Sequence, residues 1–187
     1  MSPLVRYLSL SITVLVASAI LAGCAARGLA YNPAPPPREA NALVYIYRPD
    51  AAPFSARDAY FYIDDVNIVD LSRKGYTWFH VPAGRYKLKQ KWPFDVTLGM
   101  KTVEAAVEWE AGATYYYRLQ VLSKPFTVEW RLSQVPASEA TLELRDCRLQ
   151  PPVGLPTAIK EASSRSGTRT WRTAPSDTCP VPRRDRS

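Results

Sequence analysis

The sequence predicts an all-β fold in which seven or eight short strands form an antiparallel sandwich. Short segments rich in β-branched and aromatic residues recur between residues 42 and 132, and turn-forming residues separate them at short, regular intervals. The clearest segment is 126–132, in which apolar residues alternate with polar ones; the apolar set is Phe126, Val128, Trp130 and Leu132. Alternation with a period of two is typical of a strand buried on one face.

The predicted strands follow one another in the order 42–48, 60–63, 66–71, 76–81, 85–92, 101–109, 114–122 and 126–132. Asp64-Asp65 fits a tight turn between the second and third strands. Pro82-Ala83-Gly84 predicts a turn after the fourth, because proline presets one backbone dihedral and glycine accepts a positive φ. Gly112 marks the turn before the seventh strand.

Residues 138–148 fit two structures. Ser138 can cap a helix whose buried face would hold Ala140, Leu144 and Cys147. Leu142 and Leu144 also alternate as they would in a strand. We favour a single short helix.

Residues 1–23 have the layout of a secretory signal peptide. Arg6 supplies a positive charge, residues 7–20 are uncharged and largely apolar, and small residues follow. The apolar segment is short for a membrane-spanning helix, which needs about 20 residues.

Leu21-Ala22-Gly23-Cys24 resembles a bacterial lipobox. The resemblance implies that Cys24 becomes the first residue of the mature protein and carries lipid on its sulfur and amine, including acyl chains such as palmitate. Several acyl chains give a stable membrane anchor. Ala25 follows the cysteine, and the resemblance places the inner-membrane retention signal, usually Asp, at that position. We therefore expect the outer membrane, on its periplasmic side. The alternative is an ordinary cleaved signal with an incidental cysteine.

The rest of the chain divides into three predicted parts. Residues 24–40 contain four prolines that favour extended polyproline geometry, which predicts a membrane tether. Residues 41–149 hold the sandwich. Residues 150–187 are rich in proline, serine, threonine and arginine, so a largely disordered tail is expected, and disordered segments would flank the domain.

The net charge of +7 is concentrated outside the predicted domain. The tail from residue 151 has seven basic and three acidic residues, whereas residues 40–150 have 14 and 13. A basic arm can bind nucleic acid, but a periplasmic location argues against it. In the periplasm, the anionic groups available to a basic tail are lipopolysaccharide phosphates, peptidoglycan carboxylates and anionic lipids. The alternative is a solvated tail without a partner.

Residues 42–148 resemble a family of small bacterial lipoproteins that is defined only as a domain of unknown function. The resemblance rests on four segments in matching order and spacing: Ala42–Pro49 (ALVYIYRP), Tyr62–Asp65, Val81–Tyr86 (VPAGRY) and Ala111–Tyr117 (AGATYYY). The Pro-x-Gly segment is also similar to surface modules named for a Pro-Glu-Gly-Ala motif. The resemblance implies an immunoglobulin-like or transthyretin-like sandwich and no established activity.

A cluster of aromatic residues is the candidate interaction surface. Tyr115, Tyr116 and Tyr117 must place rings on both faces of one strand, and Tyr45 and Tyr47 lie in another. Exposed aromatic patches often mark interaction sites. The alternative is that both faces are covered, one by the second sheet and one by the tail.

Cys147 and Cys179 remain after lipidation of Cys24. Because the periplasm is oxidising, we expect them to form a disulfide. Two independent thiols are the alternative.

No catalytic or metal site is expected. His80, the only histidine, lies in a predicted strand with no nucleophile motif beside it. Asp64, Asp65 and Asp70 lack the spacing of a calcium loop, so we interpret them as turn and surface residues.

The sequence thus predicts a non-enzymatic lipoprotein that binds or scaffolds another envelope component through an aromatic face, an open sheet edge or the tail, with no cofactor. An enzyme acting on cell wall or carbohydrate, using paired carboxylates such as Asp64 and Glu108, is the alternative. Inhibition of another enzyme is a third possibility.

Overall fold

The computed structural model describes residues 25–50, 57–92, 102–125, 128–157 and 159. In these residues the chain forms nine strands and a helix. They are β1 (Asn41–Arg48), β2 (Ala59–Ile63), β3 (Val66–Leu71), β4 (Gly75–Pro82), β5 (Gly84–Lys91), β6 (Val103–Trp109), β7 (Thr114–Ser123), β8 (Val128–Gln134), α1 (Ala137–Leu144) and β9 (Arg148–Leu149).

The strands form a sandwich of two open sheets, which confirms the predicted all-β fold. The larger sheet has the order β8-β7-β1-β4-β9, and the smaller one has the order β3-β2-β5-β6. The smaller sheet is antiparallel throughout. The larger sheet departs from the predicted antiparallel arrangement, because β1 pairs with β7 and β4 with β9 in parallel. Parallel neighbours need a long crossover, and the strands between β1 and β7 supply it.

The main core lies between the two sheets. Inward residues of β1, such as Val44 and Ile46, pack with Phe61, Phe79 and Leu88 from other strands. Trp109 is 1% exposed at one end of this core. Its indole N–H donates to the Tyr117 hydroxyl at 3.0 Å, and its ring stacks on Tyr86 with 4.8 Å between centroids. A buried indole needs such an acceptor.

Strands β1 and β4 are buried on both faces along nearly their whole length. Their sequences, NALVYIYR and GYTWFHVP, hold apolar or aromatic residues at consecutive positions. Near-continuous apolar runs are typical of strands covered on both sides. A third layer, made of α1 and residues 25–38, therefore covers the outer face of the larger sheet.

The predicted turns are present, although one has a different role. Asp64 and Asp65 have φ values of 46° and 68° and join β2 to β3, as expected for a tight hairpin. Pro82-Ala83-Gly84 does not join paired strands. It carries the chain from β4 in the larger sheet to β5 in the smaller one.

Residues 137–144 form the favoured helix, and Ala140, Leu144 and Cys147 are buried as predicted. The predicted cap is wrong, because Pro136, in an extended conformation, occupies the N-cap position and makes no side-chain cap bond. Among the described residues, no helix is both long and apolar enough to cross a membrane.

The ordered fold extends beyond the predicted boundaries of the domain. Ala26, Asn32 and Ala34 donate backbone hydrogen bonds to it, so the described part of the predicted tether is not free chain. The start of the predicted tail is ordered too, since Val153 N–H donates to the Ile68 carbonyl at 2.9 Å and Ile159 is fully buried. Residues 160–187 lie outside the described residues.

We expect Tyr117→Phe to lower the free energy of unfolding by about 1–3 kcal/mol, because the buried Trp109 N–H loses its acceptor. Urea denaturation of the Cys24→Ser protein, followed by circular dichroism, measures the change. Tyr115→Phe is the control. Its hydroxyl accepts from the exposed Glu110 N–H, which water can satisfy. Equal losses in both variants would contradict this role for Tyr117.

Candidate functional site

The outer face of the larger sheet carries a group of aromatic residues that we call the tyrosine face. It consists of Tyr45 and Tyr47 on β1, Tyr76 and Trp78 on β4, and Tyr116 on β7. Tyr45 lies opposite Tyr116 in the parallel pair, and their rings stack with 4.8 Å between centroids and 11° between planes. Tyr45, Tyr47 and Tyr76 are at most 2% exposed, so this face is covered.

Residues 25–38, which we call the N-terminal strap, form much of the cover. The ring of Tyr31 contacts those of Tyr45 and Tyr76, with centroid distances of 6.5 and 5.5 Å. The hydroxyls of these two tyrosines accept backbone N–H groups of the strap, Tyr45 from Ala34 at 2.7 Å and Tyr76 from Asn32 at 3.3 Å. Burial raises the pKa of both tyrosines, so they remain neutral.

The strap begins at the end of the sheet where β4 starts. Ala25 forms a parallel bridge with Arg73, and the Ala26 N–H donates to the Arg73 carbonyl at 2.8 Å. Further along, the Leu149 N–H donates to the Leu29 carbonyl at 2.9 Å. Gly28 permits this approach, because a Cβ atom there would lie 2.1 Å from the Leu149 carbonyl oxygen.

His80 belongs to the strap contact. It is fully buried, and its Nε2 lies 3.1 Å from the Pro35 carbonyl. Burial is the main cause that lowers the pKa of His80, against a smaller opposing effect of the Pro35 and Pro36 carbonyls. We therefore interpret the neutral His80 imidazole as a residue that holds the proline segment of the strap against the sheet.

Helix α1 covers the rest of the tyrosine face, and a cluster of polar side chains joins the helix to the sheet. The Tyr47 hydroxyl donates to Glu143 at 2.6 Å, and Arg118 donates to Glu143 at 2.9 Å and to Glu139. Burial raises the pKa of Tyr47, and so does the hydrogen bond to Glu143. These bonds satisfy polar groups that the helix would otherwise bury unpaired.

The structure divides the predicted interaction surface between two faces. Tyr115 and Tyr117 point towards the core between the sheets, whereas Tyr45, Tyr47 and Tyr116 lie on the covered outer face. An exposed aromatic patch formed by these five residues is therefore not present. The alternative of covered faces is correct in outline, but the strap and α1 make the described cover, where the C-terminal tail was expected.

The acidic residues considered at the sequence level have local partners. The Asp64 carboxylate accepts the Lys87 N–H at 2.9 Å, and Asp65 pairs with Lys89 at 2.6 Å. Asp70 accepts from the Asn67 amide, and Glu108 pairs with Arg85 at 3.3 Å. Within the described residues, no three histidine, cysteine or acidic side chains are grouped to hold a metal ion.

Cys147 is 1% exposed next to the end of α1 and has no disulfide partner among the described residues. Burial raises the pKa of its thiol to about 12. Cys24 and Cys179 lie outside the described residues. Lipidation of Cys24 and the Cys147–Cys179 disulfide therefore stay predictions.

Two sheet edges are open in the part of the chain that the structure describes. Strand β8 pairs only with β7 at one edge of the larger sheet, and β6 pairs only with β5 in the smaller one. The other two edges carry additional backbone contacts. Ala30 forms a bridge with Arg148 in β9, and Val153 bonds to Ile68 in β3.

Comparison with known protein families gives one match, which covers β1 to β7. A DUF2846 domain spans residues 38–129. The family is described as a protein of unknown function, which agrees with the resemblance to a domain of unknown function but does not address the lipoprotein part of it. No curated protein matches the chain. The matched residues exclude nearly all of the strap, most of β8, α1 and β9, so the cover of the tyrosine face lies mostly outside the match.

Sequence reasoning missed the strap as a structural element. Tyr31 and Gly28 lie in a proline-rich segment without a periodic pattern, and the sequence places Tyr76 only on a strand. The available signal was the continuous apolar character of β1 and β4, which requires cover on both faces.

We expect Gly28→Ala to loosen the strap, because the new Cβ atom overlaps the Leu149 carbonyl and overpacking costs about 1–3 kcal/mol. Hydrogen exchange should become faster at the Ala26 and Leu149 amides. Leu29→Ala is the matched control, since Leu29 is 68% exposed and its backbone bond is retained. Unchanged exchange in Gly28→Ala would show that the strap contact tolerates the methyl group.

Proposed function

We propose that this protein is a lipoprotein of the outer membrane that faces the periplasm and acts without catalysis, as a binding or scaffolding module. The proposal starts from the signal-like residues 1–23 and the lipobox-like Leu21–Cys24. Ala25, in place of Asp, supports the outer membrane as the destination. The burial of His80 and the local pairing of Asp64 and Glu108 support a role without catalysis.

The lipobox-like Leu21–Cys24 carries the proposal, and the first described residues after it contact the domain. Ala25 forms a bridge with Arg73 and Ala26 is buried. Cleavage before Cys24 would thus produce a mature chain whose second residue already belongs to the fold.

The binding surface that we propose is the free edge of β8. The sequence offered an aromatic face, an open edge or the tail; the aromatic face is covered and the tail lies outside the described residues. An open edge strand presents unpaired backbone groups to which another chain can add a strand. The partner is then an envelope protein with an extended segment, and nucleic acid, lipopolysaccharide and peptidoglycan are not required.

The direction of the backbone groups on β8 follows from one hydrogen bond. Just beyond the strand, the Val135 N–H donates to the Tyr116 carbonyl at 3.0 Å. Because N–H groups alternate along an antiparallel strand, those of Gln134 and Leu132 point away from β7. Gln134 is exposed, so its N–H can be removed without disturbing the core.

We expect the mature N-terminal peptide, isolated from bacterial membranes, to have the mass of an acylated Cys24. Cys24→Ser should lose this mass, because serine lacks the thiol that carries the lipid. Cys179→Ser is the control and should keep the mass. An unmodified Cys24 peptide from the wild-type protein would refute the lipoprotein assignment.

We expect Gln134→Pro to reduce the partner recovered by crosslinking in intact envelopes, since proline removes the outward N–H of the edge. Gln134→Ala is the matched control, because it shortens the side chain and keeps that N–H. Both variants should unfold at the wild-type urea concentration. Equal recovery with proline and alanine would exclude strand addition at β8.

A further inference from the structure

The N-terminal strap runs along the whole length of the larger sheet in a definite direction. Ala25 lies beside Arg73, just before β4, and Pro35 reaches His80 further along that strand. The chain then turns, and Asn41 at the start of β1 pairs with Pro82 at the end of β4. The residue that follows Cys24 is therefore at the end of the sandwich where β4 starts. We call this the anchor end.

This path leaves no free spacer between a lipid on Cys24 and the fold. Adjacent α-carbons are about 3.8 Å apart, so Cys24 must lie within one such step of Ala25. Sixteen residues of free chain would have reached roughly 50 Å. A lipid on Cys24 therefore holds the anchor end at the bilayer surface, and the domain cannot rotate freely above it.

The described surface next to Ala25 is predominantly basic. Arg27 is exposed, and Arg73 and Lys74 form ion pairs with Asp50 at 3.4 and 3.1 Å. The exposed Arg148 donates its N–H to the Lys74 carbonyl at 2.7 Å.

Two further exposed charges, on Arg145 and Asp146, follow helix α1. Five of these residues are basic and two are acidic, and Arg57 and Asp58 just before β2 add one charge of each sign, so the excess is three basic residues. Leu29 in the same strap is 68% exposed, which adds apolar surface beside the charges.

We propose that the anchor end is a membrane-docking surface, in which Arg27, Lys74 and Arg148 contact anionic phospholipid headgroups and Leu29 lies at the interface. The inference rests on the lipidation of Cys24 proposed above. Basic residues close to a bilayer are attracted to anionic lipids within a Debye length, and the anchor keeps them within it. The sandwich then stands with β4 directed away from the membrane, and the Pro82–Gly84 turn faces the periplasm.

Differential labelling of two lysines tests this orientation. The mature lipidated protein is placed in vesicles of phosphatidylethanolamine and phosphatidylglycerol and treated with a water-soluble amine-acylating reagent, with Cys24→Ser in solution as the reference. Lys74 is at the anchor end. Lys87 lies in the middle of β5 on the outer face of the smaller sheet, and both side chains are partly exposed, 37% and 53%. We expect labelling of Lys74 to fall about fivefold and that of Lys87 to change little.

A spacer variant separates docking from attachment. An alanine followed by about twelve Gly/Ser residues, inserted between Cys24 and Ala25, keeps alanine after the cysteine and gives a linker of roughly 20 Å. It leaves every described residue unchanged. Lys74 labelling should return towards the reference although the lipid mass is retained.

Charge reversal tests the headgroup contact. Arg27→Glu should reduce the protection of Lys74 in anionic vesicles, whereas Arg85→Glu, on the smaller sheet, is the matched control and should not. Equal labelling of Lys74 and Lys87 on an acylated protein would overturn the docking surface alone. An unacylated N-terminal peptide would overturn both the docking surface and the lipoprotein assignment.

Discussion

The fold depends on covering the outer face of the larger sheet. That face carries Tyr45, Tyr47 and Tyr76. If their rings stayed in water, β1 and β4 would lose the stabilisation that comes from burying apolar surface. The cover is supplied by chain from both ends of the domain, the strap before β1 and α1 after β8. Each tyrosine hydroxyl that is buried in the process receives a partner, from the strap backbone or from Glu143. The tyrosine face thus joins parts of the chain that are distant in sequence.

The same constraint explains why the aromatic residues are poor candidates for a binding surface and good candidates for a structural one. A tyrosine can pack its ring and still offer a hydroxyl to the backbone of a segment that has no regular partner. The strap contains four prolines, which cannot donate backbone hydrogen bonds. It is held instead by ring contacts and by the few N–H groups it has, such as those of Asn32 and Ala34.

Local patterns predicted the strands well and the layers poorly. Alternation and turn residues placed β1 to β8 to within a few residues, because period-two burial and the Asp64-Asp65 turn are local properties. The parallel pairing of β1 with β7 depends on distant chain, and no local pattern encodes it. The strap was missed for the same reason. A proline-rich segment is extended whether it is free or docked, and only the tertiary contacts of Tyr31 and Gly28 distinguish the two. Of the candidate site, the sequence placed Tyr45, Tyr47 and Tyr116 on strands, but not what covers them.

The parallel pairing of β1 with β7 has a consequence for how the domain can fold. Strand β1 lies in the middle of the larger sheet, and its neighbour on one side, Leu43 opposite Thr114, is about seventy residues away in sequence. Closing so large a loop is entropically costly and slow. Strand β1 leaves the ribosome or a translocation pore before β7 does. One edge of β1 therefore stays unpaired until most of the domain has emerged. During that interval β1 is a segment rich in apolar and β-branched residues without its partner, which is where aggregation competes most strongly with folding.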